Sequence, residues 1–215
     1  MTSPLHSIVS RRTALRAFGL AGLTTAGLLA STQAHASGDL VVVDQMGTGP
    51  WDSENCGPTS AVIAMVTAGR EVAQYVSGHE GTTVGGNRRA VVEMRARCGL
   101  SPWDDPSQKS VGYMGAYLGD LEKGIRDAGA RATRARFQEG LEAAAQGAVV
   151  ILHVHHGRLL GEEDADYGHF VVAQGEDADG NLLVSDPGRA QENGITPYSP
   201  ERLRYARQGA ATLVS

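Results

Sequence analysis

The stretch GHFVVAQGEDADGNLLVSDP, residues 168–187, decides how this chain folds. Phe170 to Ala173 reads as a strand, rich in β-branched and aromatic residues. Glu176 to Gly180 reads as a turn, and Asn181 to Ser185 as a second strand. A four-residue turn, Asp177–Gly180, pairs Glu176 with Asn181 and sets Val171 opposite Asp186. His169 then becomes the diagonal neighbour of Asp186 on the same face, at about 7–8 Å between backbones. A six-residue turn would place the two directly opposite. Any even turn length keeps them together, and an odd one separates them.

Around this hairpin the periodicity changes along the chain. Val149 to Val154 is a strand-like apolar run. Before it, Phe137 to Gln146 and Met114 to Ala128 read as amphipathic helices. Arg88 to Arg97 reads as a short helix stopped by Gly99. Pro58 to Thr67 suits a helix with Pro at its start, ended by Gly69. Gly47 to Asn55 and Gly78 to Asn87 are loops, and Leu40 to Val43 reads as a strand. After the hairpin, Ser199-Pro200-Glu201 opens a short helix, and Thr212 to Val214 closes the chain as a strand. Helices first and strands last argue an α+β fold with an antiparallel sheet.

The chain has 215 residues, 41% of them hydrophobic and 20% charged, which excludes wholesale disorder. The net charge is −5, so no phosphate-binding footprint and no nucleic-acid partner is expected. Two cysteines are too few for a disulfide framework or a four-thiolate zinc site. Residues 1–36 stand apart: they hold Arg11, Arg12 and Arg16 but no Asp or Glu. Ser10 to Arg16 looks like a twin-arginine export motif. A mildly apolar run, Ala17 to Ala30, and a small-x-small site at Ala34-His35-Ala36 follow. The run falls short of the roughly 20 residues that span a bilayer, so no stable membrane anchor is expected. We expect residues 1–36 to be a signal peptide recognised by the twin-arginine machinery. Residues 37–215 are then one secreted domain, extracellular or periplasmic and monomeric. That route carries folded proteins, so the fold should not depend on a disulfide.

The chemistry centres on Asn55-Cys56-Gly57-Pro58-Thr59-Ser60, where loop meets helix. Unpaired amides and the helix dipole favour a thiolate at a helix N-terminus. A buried structural thiol is the plain alternative. His169 at the mouth of a strand and Asp186 after the hairpin complete a nucleophile, a base and an orienting carboxylate.

These three motifs, Asn-Cys-Gly-Pro-Thr-Ser at 55–60, Gly-His-Phe-Val-Val at 168–172 and Ser-Asp-Pro at 185–187, resemble cysteine-peptidase family 39 and its relatives in the papain-like clan. The resemblance spans Val41 to Val214. It implies a papain-like α+β fold, with a helical part carrying Cys56 against a sheet carrying His169 and Asp186. It also implies an oxyanion-hole Gln upstream of the Cys, matched by Gln45, 11 residues before Cys56. The implied activity is hydrolysis of peptide bonds through a thioester, on a peptide or protein substrate and without a cofactor. Family-39 domains proper are fused to transporters. This chain contains no GxxxxGK[ST] phosphate loop, and double-glycine leader specificity is not expected to transfer.

Two other readings share the fold: an inactive module that binds a peptide, and an amidase or transferase acting on cell-wall cross-links. His153, His155 and His156 invite a metal reading, and His153 and His155 point to one face of their strand. With His169 they could form a three-histidine zinc site, although Cys56 and Asp186 fit the thiol scheme without a metal. Glu162, Glu163, Asp164 and Asp166 form an acidic loop before His169 and suggest a cleft favouring basic or polar peptide segments. Cys98 reads as a core thiol, with a Cys56–Cys98 disulfide as its rival.

Overall fold

The computed structural model describes residues 40–101, 115–162, 167–192 and 194–215. All of them belong to one unit of the chain, Gln33–Ser215. Residues 1–36, which the sequence reading assigns to export, most of the acidic loop and Met114 lie outside the described residues. The helices are α1 (Cys56–Thr67), α2 (Arg88–Arg97), α3 (Leu118–Asp127), α4 (Phe137–Ala145), α5 (His156–Leu160) and α6 (Pro200–Tyr205). The strands are β1 (Ala132–Ala135), β2 (Val149–His155), β3 (Gly168–Glu176), β4 (Leu182–Ser185), β5 (Ile195–Tyr198) and β6 (Arg207–Val214). They form one antiparallel sheet in the order β1-β6-β2-β3-β4-β5.

Both faces of this sheet are covered. Val149, Ile151, Phe170 and Val172 pack with residues of α1 and α2 and with Leu121 and Ile125 of α3. Val150, Leu152, Val154, Val171 and Ala173 pack on the other side with Phe137 and Leu141 of α4, Leu159 of α5 and Leu203 of α6. Strand β2 is therefore apolar at successive positions, as a strand buried on both faces must be. The anticipated helical layer against a sheet is present, and a second helical layer backs it.

Helix α1 is buried from Gly57 through Met65. Helices α2 and α3 and the sheet surround it, which is why it has no polar stripe. Gly57 is required by closeness: an added Cβ would come within 2.9 Å of Ala116 Cβ and Leu121 Cδ2 and 3.4 Å of Phe170 Cδ2. Ser60 Oγ donates to the Phe170 carbonyl at 2.9 Å and fastens α1 to β3.

The β3–β4 hairpin differs from the simple count. Glu176 pairs with Leu182, so the turn has five residues, not four. The Asp177 carboxylate accepts from Asp179 N and Asn181 N, each at 2.9 Å, and draws Asn181 into the turn. An odd turn alone would put His169 and Asp186 on opposite faces. A bulge between Ala173 and Glu176 adds one residue to β3, where Gly175 adopts φ 150°. Beyond the bulge Val172 pairs with Ser185, and the offset that sets Val171 against Asp186 is restored.

Leu40 to Val43 is not a strand. The side chain of Gln174 serves Val41 in place of a neighbouring strand, accepting from Val41 N at 2.8 Å and donating to its carbonyl at 2.6 Å. The expected helix from Met114 begins only at Leu118. Strands β1 and β5 and helix α5 go unannounced in the sequence. Each is short, and β1 and β5 expose most of their residues in part.

Candidate active site

Cys56 is the first residue of α1 and is half-buried. The loop before it is held by a polar lattice. Asn55 Nδ2 donates to Thr48 Oγ1 at 2.9 Å, and Asn55 Oδ1 accepts from Arg95 Nη1 at 3.1 Å. Thr48 Oγ1 in turn donates to the Gln45 carbonyl. Buried Arg95 lies 4.8 Å over the Trp51 ring and donates through Nε to the Ser101 carbonyl at 2.8 Å. Loop and α2 therefore fix where α1 begins, and with it where the sulfur sits.

His169 and Asp186 are each only 3% exposed. His169 Nε2 lies 2.7 Å from Asp186 Oδ1 and donates to it. The same oxygen accepts from Gly188 N at 2.9 Å. With Nε2 committed to Asp186, Nδ1 is the ring nitrogen left to serve Cys56, whose proximity raises the proton affinity of His169. Burial works to lower the affinity of His169 for its proton. The hydrogen bonds to Asp186 and Cys56 and the charges of both outweigh it, pushing His169 up to about 10. Burial likewise opposes ionisation of Asp186, but hydrogen bonds from His156 and His169 hold it well below the usual carboxylate range. The site thus sets an imidazole, clamped by a carboxylate, beside the sulfur of Cys56 at a helix N-terminus.

Gln45 is buried beside both halves of this arrangement. Its backbone N donates to the Pro187 carbonyl at 3.0 Å, next to Asp186. Its Nε2 donates to the Asp52 and Ser53 carbonyls at 3.1 and 3.2 Å, in the loop leading to Cys56. All four singled-out residues are therefore brought to one region, with the Gln45 amide hydrogens on loop carbonyls.

Other residues fall differently. His153 stacks on Phe170 at 4.7 Å, and burial, together with the charge of His169, lowers its affinity for a proton. His155 accepts from Arg158 N at 3.3 Å and caps α5. The histidine that joins His169 is His156, whose Nε2 lies 3.2 Å from Asp186 Oδ2 and whose Nδ1 meets the Tyr167 hydroxyl. Among the described residues, His156, His169 and Asp186 are the set able to hold a metal, with ligand atoms within 4.8 Å of one another. The sequence offered no signal for His156 beyond its place in the 153–156 histidine cluster, because α5 was not foreseen. Both cysteines are free thiols. Cys98 is packed near Gly124, and burial, with Asp120 adding to it, pushes it up to about 12.

No protein-family profile matches the chain, and no curated protein matches it. Solved structures do. The peptidase domain of Streptococcus ComA, a bifunctional ABC transporter involved in a quorum-sensing pathway, aligns with a TM-score of 0.54 at 16% identity, covering 82% of this chain and 98% of that one. A double-glycine-motif protease from an AMS/PCAT transporter, solved with its leader peptide, aligns with a TM-score of 0.49 at 18% identity, covering 85% and 94%. The likeness to the ComA domain shows the fold: a papain-like peptidase architecture with a mixed helical and six-stranded antiparallel construction.

Proposed function

We propose that this chain is a papain-like cysteine peptidase of the family-39-like type that hydrolyses peptide bonds through Cys56, His169 and Asp186. The carrying observation is the buried His169, held at Nε2 by Asp186, with Cys56 at the start of α1 near enough to raise its proton affinity. Cys56 attacks the scissile carbonyl as a thiolate, and the carbonyl π electrons move to oxygen. The unpaired first amides of α1, that of Cys56 among them, receive this oxyanion. Gln45 joins them once its Nε2 exchanges one of the loop carbonyls for the substrate oxygen. His169 gives its Nδ1 proton to the leaving amine, and a thioester remains. Water then attacks the thioester, giving a proton to His169. The acid leaves, and the thiolate–imidazolium pair is restored. Asp186 stays ionised throughout and fixes the ring.

The likeness to transporter peptidase domains supports a peptide substrate. The twin-arginine-like segment supports export before the enzyme acts. Among the described residues, no helix is long and apolar enough to cross a membrane. Incubating the full chain with a diverse peptide library and sequencing the new termini tests the activity. Cleavage that disappears in Cys56→Ala is the expected result. A digest identical to that of Cys56→Ala would overturn the proposal.

A further inference from the structure

Asp186 carries a second imidazole that the triad does not use. We infer that His156 and Tyr167 are positioning residues, which hold Asp186 Oδ2 so that Oδ1 stays on His169. This rests on the reading of Cys56 and His169 as a working pair.

The backbone builds the arrangement. Strand β2 ends at His155, and α5 starts at once. His156 N donates to the Tyr167 carbonyl at 3.0 Å, one step beyond the His155–Gly168 pairing. The two side chains are thereby set beside each other, with ring centroids 5.0 Å apart, and His156 lies 4.3 Å from His169. His156 is 7% exposed, whereas Tyr167 is 51% exposed.

The proton inventory has one economical solution. Tyr167 O–H donates to His156 Nδ1, and His156 Nε2–H donates to Asp186 Oδ2. This is a neutral imidazole, with donor and acceptor each matched. A charged His156 would set two buried cations 4.3 Å apart on one carboxylate. Asp186 Oδ1 already takes His169 and Gly188. A carboxylate bound through both oxygens cannot rotate about its Cβ–Cγ bond. Without His156 the carboxylate can turn, and the ring of His169 loses its fixed direction towards Cys56. The titratable and charged groups around the network include Cys56, the phenol of Tyr198, the carboxylate of Glu162, the guanidinium of Arg189 and the imidazole of His153.

The test is iodoacetamide alkylation of Cys56 in the full chain from pH 5 to 9, read by mass spectrometry of the Cys56 peptide. Wild type should be fast at pH 6 and His169→Ala slow. His156→Ala should be about tenfold slower than wild type at pH 6, the scale of one lost hydrogen bond to a charged group. Its acid limb should move to higher pH. His156→Gln keeps a donor near the Nε2 position and should recover to within about threefold of wild type. Tyr167→Phe should be about two- to fourfold slower. If wild-type Cys56 reacts no faster than a small free thiol, the working-pair reading itself fails. If wild type is fast and His169→Ala slow, but His156→Ala follows the wild-type profile, the positioning role is overturned. Should His156→Ala fail to fold, Tyr167→Phe decides: a slower rate upholds the role, and an unchanged one overturns it.

Discussion

His169 Nε2 and Asp186 Oδ1 are 2.7 Å apart because a bulge in β3 offsets a five-residue turn. The two irregularities cancel. The five-residue turn is in register with Asp186 only because β3 carries one extra residue at the bulge, where Gly175 lies. Deleting Gly175 removes that residue and the bulge together, so the five-residue turn then pairs regularly with Val172 still opposite Ser185. Fast alkylation of Cys56 should therefore survive the deletion. A Gly175 deletion that loses the fast alkylation would contradict this account of the register.

His169 also links stability to pH. Its proton affinity is raised in the folded state to about 10 from an ordinary 6.5. The folded chain thus holds a proton that the unfolded chain has released between those values. The His169 contribution is fully present below about pH 6.5 and declines as pH rises through about 10. Urea midpoints should therefore fall more steeply between pH 7 and 10 in wild type than in His169→Gln. Equal slopes would contradict the raised affinity.

Gln45 separates two parts of catalysis. Alkylation of a thiolate forms no oxyanion, whereas acyl transfer does. Gln45→Ala should lower peptide turnover by about 10²-fold, the scale of one oxyanion donor, and leave Cys56 alkylation within about threefold of wild type. Loss of both together would place Gln45 in the scaffold of the Cys56 loop, where its Nε2 holds the Asp52 and Ser53 carbonyls.

Cys98 should behave as a core residue. Burial keeps its thiol protonated, up to about 12, so it should alkylate only on unfolding. Cys98→Ala should retain Cys56 reactivity and lose about 1 kcal/mol of stability, as for a small group removed from a packed core. Rapid native labelling of Cys98 would contradict its placement.

Much of this site was legible in the sequence, because its residues sit at element boundaries that Gly and Pro mark. Cys56-Gly57-Pro58 announces the start of α1, and Ser185-Asp186-Pro187 the end of β4. The antiparallel sheet followed from the run of strands after residue 149. The length of the turn did not follow, since it hangs on the Asp177 carboxylate reaching Asn181 N. Val41 reads as a strand residue from its β-branched neighbours, yet its partner is the Gln174 side chain, 133 positions away. His156 escaped for a similar reason. Its meeting with Asp186 depends on α5, a five-residue helix with no periodic signal, capped by the His155 ring.

The most direct test of the Cys56–His169 pair is nitrogen NMR of His169 in histidine-labelled protein, titrated from pH 5 to 11. With Cys56 in place, His169 should stay doubly protonated through neutral pH and lose its proton towards pH 10, and in Cys56→Ala it should lose it at distinctly lower pH. A His169 that titrates near 6.5 in both proteins would contradict the ion pair and, with it, the peptidase mechanism.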